Sequence, residues 1–464
     1  MLPQGDVIFA PATPNGGAVS ILRLSGPGCL EIADSVVRLR RGTVSQAPGF
    51  SLRMGEVPGL DEVLVSIFRA PKSYTGEDMV EISCHASPFV LSELMRMLSE
   101  GGARAASPGE FTRRAFTSGK MDLAQAEAVA DLIASRSAAA HRMAFSQLKG
   151  EFSTRLGSIR RQLLELSALL ELELDFPDED VEFADRERLA SLAREALRGT
   201  SALSESFKLG NAFKNGIPVA IAGAPNCGKS TLLNALLGED RAIVSDIPGT
   251  TRDTVEEIMV LGGIQYRFID TAGLRNASES VERMGIERSL RQLGQASVVL
   301  SVLDGTCSLE ELQEVVSMLK EHLSPDARVI WLRNKADAAL AGGGSFGLDA
   351  PALAAALGIP RVLDISARKG LGLQRLKEEI STADAATLEA AGSLLVTNVR
   401  HYEALRAAAA DLQQFIAGLS GGSTPPDLLA EDLRSATRNL GLITGEITPD
   451  DILGEVFGRF CIGK

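Results

Sequence analysis

Apolar positions fall into three textures along this chain, and each predicts a different kind of element. Through residue 118, short β-rich runs (Val19–Leu24, Glu62–Arg69, Met79–Cys84) alternate with Gly/Pro turns, and one helical pattern runs from Pro88 to Glu100. From Asp122 the spacing becomes helical: Leu123, Ala126, Val129, Ala130 and Ile133 share a face, and the pattern resumes from Ser146 to Leu174. Pro177 ends it, since proline lacks the amide a helix interior needs, and a further helix follows from about Asp185 to Leu209. Between Ile217 and about Ala383 strands alternate with helices. The strands Pro218–Ala222, Val255–Leu261, Gln265–Ile269, Val298–Leu303, Arg328–Arg333 and Arg361–Ile365 predict a doubly wound parallel sheet. After Ser393 the texture is helical again, with Val399–Ile416 and Leu428–Leu440. Thr448-Pro449-Asp450-Asp451 then opens a closing helix that ends near Gly458. Gly418–Pro426 and Gly342–Ser345 read as flexible loops. One helical domain interrupted by an inserted strand–helix domain explains this order most simply, with boundaries 1–118, 119–214, 215–384 and 385–464.

Composition narrows the setting. A length of 464 residues suggests about three domains. No run of ~18 apolar residues indicates a membrane span, and the N-terminus Met1-Leu-Pro-Gln-Gly-Asp6 lacks the layout of a signal peptide. Five scattered cysteines (Cys29, Cys84, Cys227, Cys307, Cys461) form no CxxC pair, which predicts reduced thiols in the cytoplasm and argues against structural zinc. A net charge of -13 argues against broad, charge-driven nucleic-acid binding, though a local basic patch stays open.

The chemistry concentrates in five ordered elements of the strand–helix region. Gly223-Ala-Pro-Asn226-Cys227-Gly228-Lys229-Ser230-Thr231 is a P-loop directly after an apolar run. Its glycines let backbone N–H groups wrap phosphate oxygens, Lys229 reaches the β/γ-phosphates, and Ser230 offers a hydroxyl to Mg²⁺. Downstream stand Gly249-Thr250-Thr251-Arg252-Asp253, Asp270-Thr271-Ala272-Gly273, Asn334-Lys335-Ala336-Asp337 and Ser366-Ala367-Arg368. Thr251 is a candidate second Mg²⁺ ligand, Asp270 binds the ion through its water shell, and the Gly273 N–H senses the γ-phosphate. Asp337 selects the base: guanine presents two adjacent donors, and an ionised carboxylate has only acceptors to offer. Adenine would leave that carboxylate unpaired, so GTP is favoured over ATP. The attacking water is less well provided for. The position after Asp-x-x-Gly, glutamine in Ras-like GTPases, is Leu274; Arg275, Glu279, Glu282 and Glu287 are the nearby candidates.

As a whole the chain resembles the MnmE (TrmE) family of bacterial tRNA-modification GTPases. Beside the GTPase set, the resemblance rests on Tyr74-Thr-Gly-Glu-Asp78, Pro108-Gly-Glu-Phe111 with Arg114-Ala-Phe116, Lys120-Met-Asp-Leu-Ala-Gln-Ala-Glu127, and the tail Phe460-Cys-Ile-Gly-Lys464. It departs at Asn15-Gly-Gly-Ala18, which lacks the usual arginine, and at Cys84-His-Ala-Ser87, where the family commonly has Gly-His-Gly-Gly.

The resemblance implies a multidomain protein. Residues 1–118 form an α/β domain for folate binding and dimerisation, 119–214 and 385–464 a discontinuous helical domain, and 215–384 an inserted Ras-like G domain. It implies a tetrahydrofolate derivative, 5-formyl- or 5,10-methylenetetrahydrofolate, held by Arg23, Glu81, Lys120 and Lys464. It also implies K⁺ bound by Asn226, Ser245, Ile247 and Thr250, within the switch segment Ser245-Asp246-Ile247-Pro248. Glu282 would position water, Arg252, Asp253 and Arg275 would order the switch and dimer contact, and Cys461 would join the modification chemistry or merely pack beside the folate. The implied activity is K⁺- and Mg²⁺-dependent GTP hydrolysis by a homodimer. With the FAD-carrying protein MnmG, in a heterotetramer or larger complex, it would install (carboxymethyl)aminomethyl groups at C5 of the tRNA wobble uridine. Two other readings compete: an N-terminal folate enzyme with GTP only as regulator, and a ribosome-assembly GTPase switch sharing the central motifs.

Overall fold

The structure is a computed structural model. It describes every residue except 1–4, 15, 176–185, 240–256, 270–292, 342–346, 393, 422–423, 448–449, 459, 461–462 and 464. The chain divides into two units. One comprises Met1–Ile133, Gln147–Thr200 and Ala404–Lys464, and the other Ala134–Ser146 and Ser201–Glu403. No helix among the described residues is long and apolar enough to cross a membrane.

In the first unit, β1 (Ile8–Pro11), β2 (Val19–Ser25), β3 (Arg38–Leu39), β4 (Ser51–Val57), β5 (Asp61–Phe68), β6 (Met79–His85) and β7 (Arg104–Ala105) form a seven-stranded sheet. Its order is β3-β4-β5-β6-β2-β1-β7, antiparallel except for the β1–β7 pair. Alternation puts Val63, Val65 and Ile67 of β5 on one buried face, where they join Leu91, Leu94 and Leu98 of the helix Pro88–Glu100. Each such side chain, fully buried, contributes roughly 1.5–3 kcal/mol. The β2–β6 register sets Arg23 opposite Glu81.

The helical part of this unit is built around Glu151–Asp175 and Pro426–Thr444, which pack on one another. The closing helix Asp450–Gly458 buries Val456 and Phe457 with Phe460 against Leu123 and Ala126. Three sequence expectations are corrected here. The pattern from Ser146 to Leu174 is two helices, Ala138–Leu148 and Glu151–Asp175, broken where Gly150 turns at positive φ. The helix expected over Asp185–Leu209 is likewise two, Arg186–Glu205 and Phe207–Asn215. The helix from Val399 continues to Gly421, past the expected loop start at Gly418, because Leu419 is buried and Ser420 Oγ bonds back to Ile416 O.

The second unit holds a six-stranded sheet of β8 (Ile217–Gly223), β9 (Glu257–Leu261), β10 (Ile264–Phe268), β11 (Val298–Asp304), β12 (Arg328–Asn334) and β13 (Val362–Asp364). The order is β13-β12-β11-β8-β10-β9, and all pairs are parallel but one. The exception is β9–β10, since Gly262-Gly263 at positive φ makes a two-residue hairpin turn. Central β11 is buried on both faces: Val298, Leu300 and Val302 enter one core, Val299 and Leu303 the other. The helix Ala138–Leu148 adds Ala139 and Met143 to the first core, and the Ala139 N–H donates to Gly263 O.

The two chain segments that bound this unit meet. Ser206 Oγ accepts from the Val396 N–H at 3.0 Å, and Phe207 stacks on Tyr402 with centroids 4.5 Å apart.

Candidate functional site

The parallel strands β8, β11, β12 and β13 end on one edge of the sheet, so their following loops converge there, as ligand loops do in open α/β sheets. The loop after β8 is the P-loop, and the helix Lys229–Glu239 starts from it, so the positive end of the helix dipole lies at the loop. Lys229 Nζ donates to Gly223 O at 2.9 Å and Ala224 O at 2.7 Å, curling the ammonium over its own loop. Ser230 and Thr231 occupy the first helical turn. Burial pushes the Cys227 thiol above its usual range, so this cysteine serves packing rather than nucleophilic chemistry.

Asn334, at the end of β12, ties three motifs together. Its Nδ2 donates to Cys227 O at 2.8 Å, and its Oδ1 accepts from the Ala367 N–H at 3.0 Å. A Cβ on Gly228, whose φ is +101°, would lie 2.2 Å from that Nδ2, so only glycine lets the P-loop approach this closely. Asp337 Oδ1 accepts from Ser366 Oγ at 2.6 Å. That bond, helped by the Lys369 and Arg368 cations, holds the carboxyl below its usual range and keeps it ionised for base reading. Arg368 itself is exposed. Among the described residues only Phe50, Asn226 and Lys335 have positive φ without being glycine, and two of these three lie in the nucleotide motifs. Strain of this kind persists where function over-determines the backbone.

Asn226, Cys227, Gly228, Lys229, Asn334, Lys335, Asp337, Ser366 and Ala367 are thus drawn into one assembly. The donor set fits a guanine nucleotide, with Ser230 the described candidate for its Mg²⁺. Ser245, Asp246, Ile247, Pro248, Gly249, Thr250, Thr251, Arg252, Asp253, Asp270, Thr271, Ala272, Gly273, Arg275 and Glu282 lie outside the described residues, as do Cys461 and Lys464. Sequence reasoning missed Asp304 at the end of β11, which pairs with Lys335; a lone acid before a glycine carries no signature.

In the other unit, Arg23 donates through Nε to Glu81 Oε1 at 2.9 Å, and its Nη1 reaches Gly463 O at 3.3 Å. Its guanidinium lies 5.4 Å from the Tyr74 ring centroid and 5.6 Å from that of Phe111. Tyr74 Oη shares a hydrogen with Thr112 Oγ1 at 2.8 Å. Arg23 and Glu81 are therefore brought together, while Lys120 Nζ donates elsewhere, to Pro71 O at 3.1 Å. Guanidinium donors beside a carboxylate acceptor suit a ligand with a carboxylate and a donor edge, as a folate has. The helix Glu110–Thr117, which carries Phe111 and Thr112, is anchored by buried Glu110. Its two oxygens accept from Arg104 Nη1 and Nη2 at 2.9 and 2.6 Å, and Arg114 joins the cluster together with Asp6. Tyr74 and Phe111 stood in quoted motifs, but only the fold turns them towards Arg23.

Residues 123–461 match the family described as MnmE helical domain, and residues 7–120 the one described as GTP-binding protein TrmE N-terminus. The tRNA modification GTPase MnmE of Cytophaga hutchinsonii is 43% identical over 464 residues, 99% of this chain and 98% of its own. That of Christiangramia forsetii is 45% identical over 473 residues, 99% of each chain. A solved G domain of the T. maritima FeoB iron transporter is 29% identical over 36% of this chain and 98% of its own, with a TM-score of 0.27, too low to inform the fold. With both family regions present in order and relatives matching end to end, the chain belongs to the MnmE family of tRNA modification GTPases.

Proposed function

We propose that this chain is a cytoplasmic, K⁺- and Mg²⁺-dependent GTP hydrolase that works as a homodimer with the FAD-carrying protein MnmG. Together they install (carboxymethyl)aminomethyl groups at C5 of the tRNA wobble uridine, with a tetrahydrofolate derivative supplying the one-carbon unit. The observation that carries the GTPase part is the Asn334 bridge between P-loop and Ser366–Arg368 loop, with ionised Asp337 beside it. In the reaction a water oxygen bonds the γ-phosphorus as the β–γ bridging oxygen leaves with GDP. Lys229 and the P-loop N–H groups bind the phosphates, and Asp337 fixes the base. Leu274 cannot orient water, and the family resemblance gives that role to Glu282. Asn226, Ser245, Ile247 and Thr250 would hold K⁺, whose charge would stand where other systems insert an arginine. Arg252, Asp253 and Arg275 would order the switch. The bare pairing of Arg23 with Glu81, next to the tail's Gly463, supports a folate site there, with Lys120, Cys461 and Lys464 as its further members.

The test is GTP turnover by the full chain in K⁺ against Na⁺ at equal ionic strength. Turnover in Na⁺ should fall by about a hundredfold, the scale of losing one charge-stabilising partner. Equal rates would remove K⁺ from the mechanism.

A further inference from the structure

We propose that Asp304 is a positioning residue for guanine-nucleotide affinity, acting through Lys335. The inference rests on the guanine reading of this site and adds a residue that no motif contains. Lys335 stands between Asn334 and Asp337 with φ of 65°, an uncommon conformation for a long side chain. Its ammonium is held by Asp304 Oδ2. The other carboxylate oxygen, Oδ1, accepts from the Thr306 N–H at 3.0 Å and the Thr306 hydroxyl at 2.6 Å. Asp304 and Asn334 are register partners on β11 and β12, and the Gly305 N–H donates to Asn334 O at 3.1 Å, so acid and lysine ride on one stitched pair of strand ends.

The exposures tell the two side chains apart. Asp304 is 13% exposed and clamped, whereas Lys335 is 37% exposed with its far end tethered. Burial pushes the Asp304 carboxyl up, but the Lys335 ammonium and the Thr306 donors outweigh it and hold the group ionised. A free lysine loses rotamer freedom whenever a ligand orders it. Here the tether already holds the far end of the stem, two residues along the chain from Asp337, the carboxylate read as the guanine selector. A flat purine gains an apolar wall without that entropic loss.

The test is titration of the full chain with N-methylanthraniloyl-GDP, in a cycle of Asp304→Asn, Lys335→Met and the double variant. Asn keeps an acceptor for Thr306 and removes only the charge facing Lys335. Each single variant should weaken binding about tenfold, and the double variant should bind within about twofold of Lys335→Met, because the acid acts through the lysine. Asp304→Asn within about twofold of the parent, or losses that multiply in the double variant, would overturn the proposal. Should Asp304→Asn not fold, Lys335→Met decides: unchanged affinity there overturns it equally. The underlying reading has its own arm. Asp337→Asn should exchange the preference for GDP for xanthosine diphosphate, and a retained GDP preference would sink the guanine assignment while leaving the coupling cycle interpretable.

Discussion

At the scale of single residues, the nucleotide site is held by contacts too short to tolerate additions. Gly228 is the sharpest case. Gly228→Ala would press a methyl into the Asn334 amide at 2.2 Å and force a side chain to φ of +101°. Guanine-nucleotide affinity should drop by at least about a hundredfold with far-UV circular dichroism unchanged, since the strain is local to one loop. The identities of Lys229, Asn334 and Asp337 were legible because phosphate and guanine demand those groups in that order. What Asn334 does was not legible: its bonds to Cys227 O and Ala367 N join residues far apart in sequence. Asp304 was invisible for the same reason, since its significance lies in a partner on the neighbouring strand.

At the scale of elements, periodicity located most strands and helices, and Pro88–Glu100 matches end to end. Its failures are local. Ser206 and Gly150 break patterns whose apolar spacing runs straight through them, and a Gly-Gly pair reverses a strand that alternation alone made parallel. One element invites a pH experiment. Burial raises the carboxyls of Glu110 and Asp6, but their arginine partners outweigh it, and both sit below their ordinary values of 4.5 and 3.8. Groups depressed in the folded state add stability above the unfolded value and lose it as pH falls through the folded one. Urea midpoints for the parent should therefore decline below about pH 4.5. Glu110→Gln should unfold about 1–2 kcal/mol more easily at neutral pH and show a shallower acid decline, because it leaves the part-exposed Arg104 paired with Asp6 alone.

At the scale of the whole molecule, the order of textures predicts an insertion, and the structure divides the chain into two units whose segments interleave along the sequence. The tail is another long-range feature, with Gly463 carried to Arg23 of the N-terminal sheet. Removing residues 461–464 should abolish tRNA modification, measured by nucleoside analysis of treated tRNA, while GTP turnover persists. Modification that survived would favour a GTPase switch with no part in the chemistry. The ends of the insertion are held by the Ser206–Val396 bond and the Phe207–Tyr402 stack. Closing a flexible loop costs entropy that rises by only about 0.6 kcal/mol per doubling of length, provided something holds its ends. With Phe207 and Tyr402 face to face, the chain between them leaves and returns at one point, so its exposed loops could gain or lose residues at little loop-closure cost. The Gly262-Gly263 turn and the core that Ala139 and Met143 enter are the places where such changes would be felt outside it.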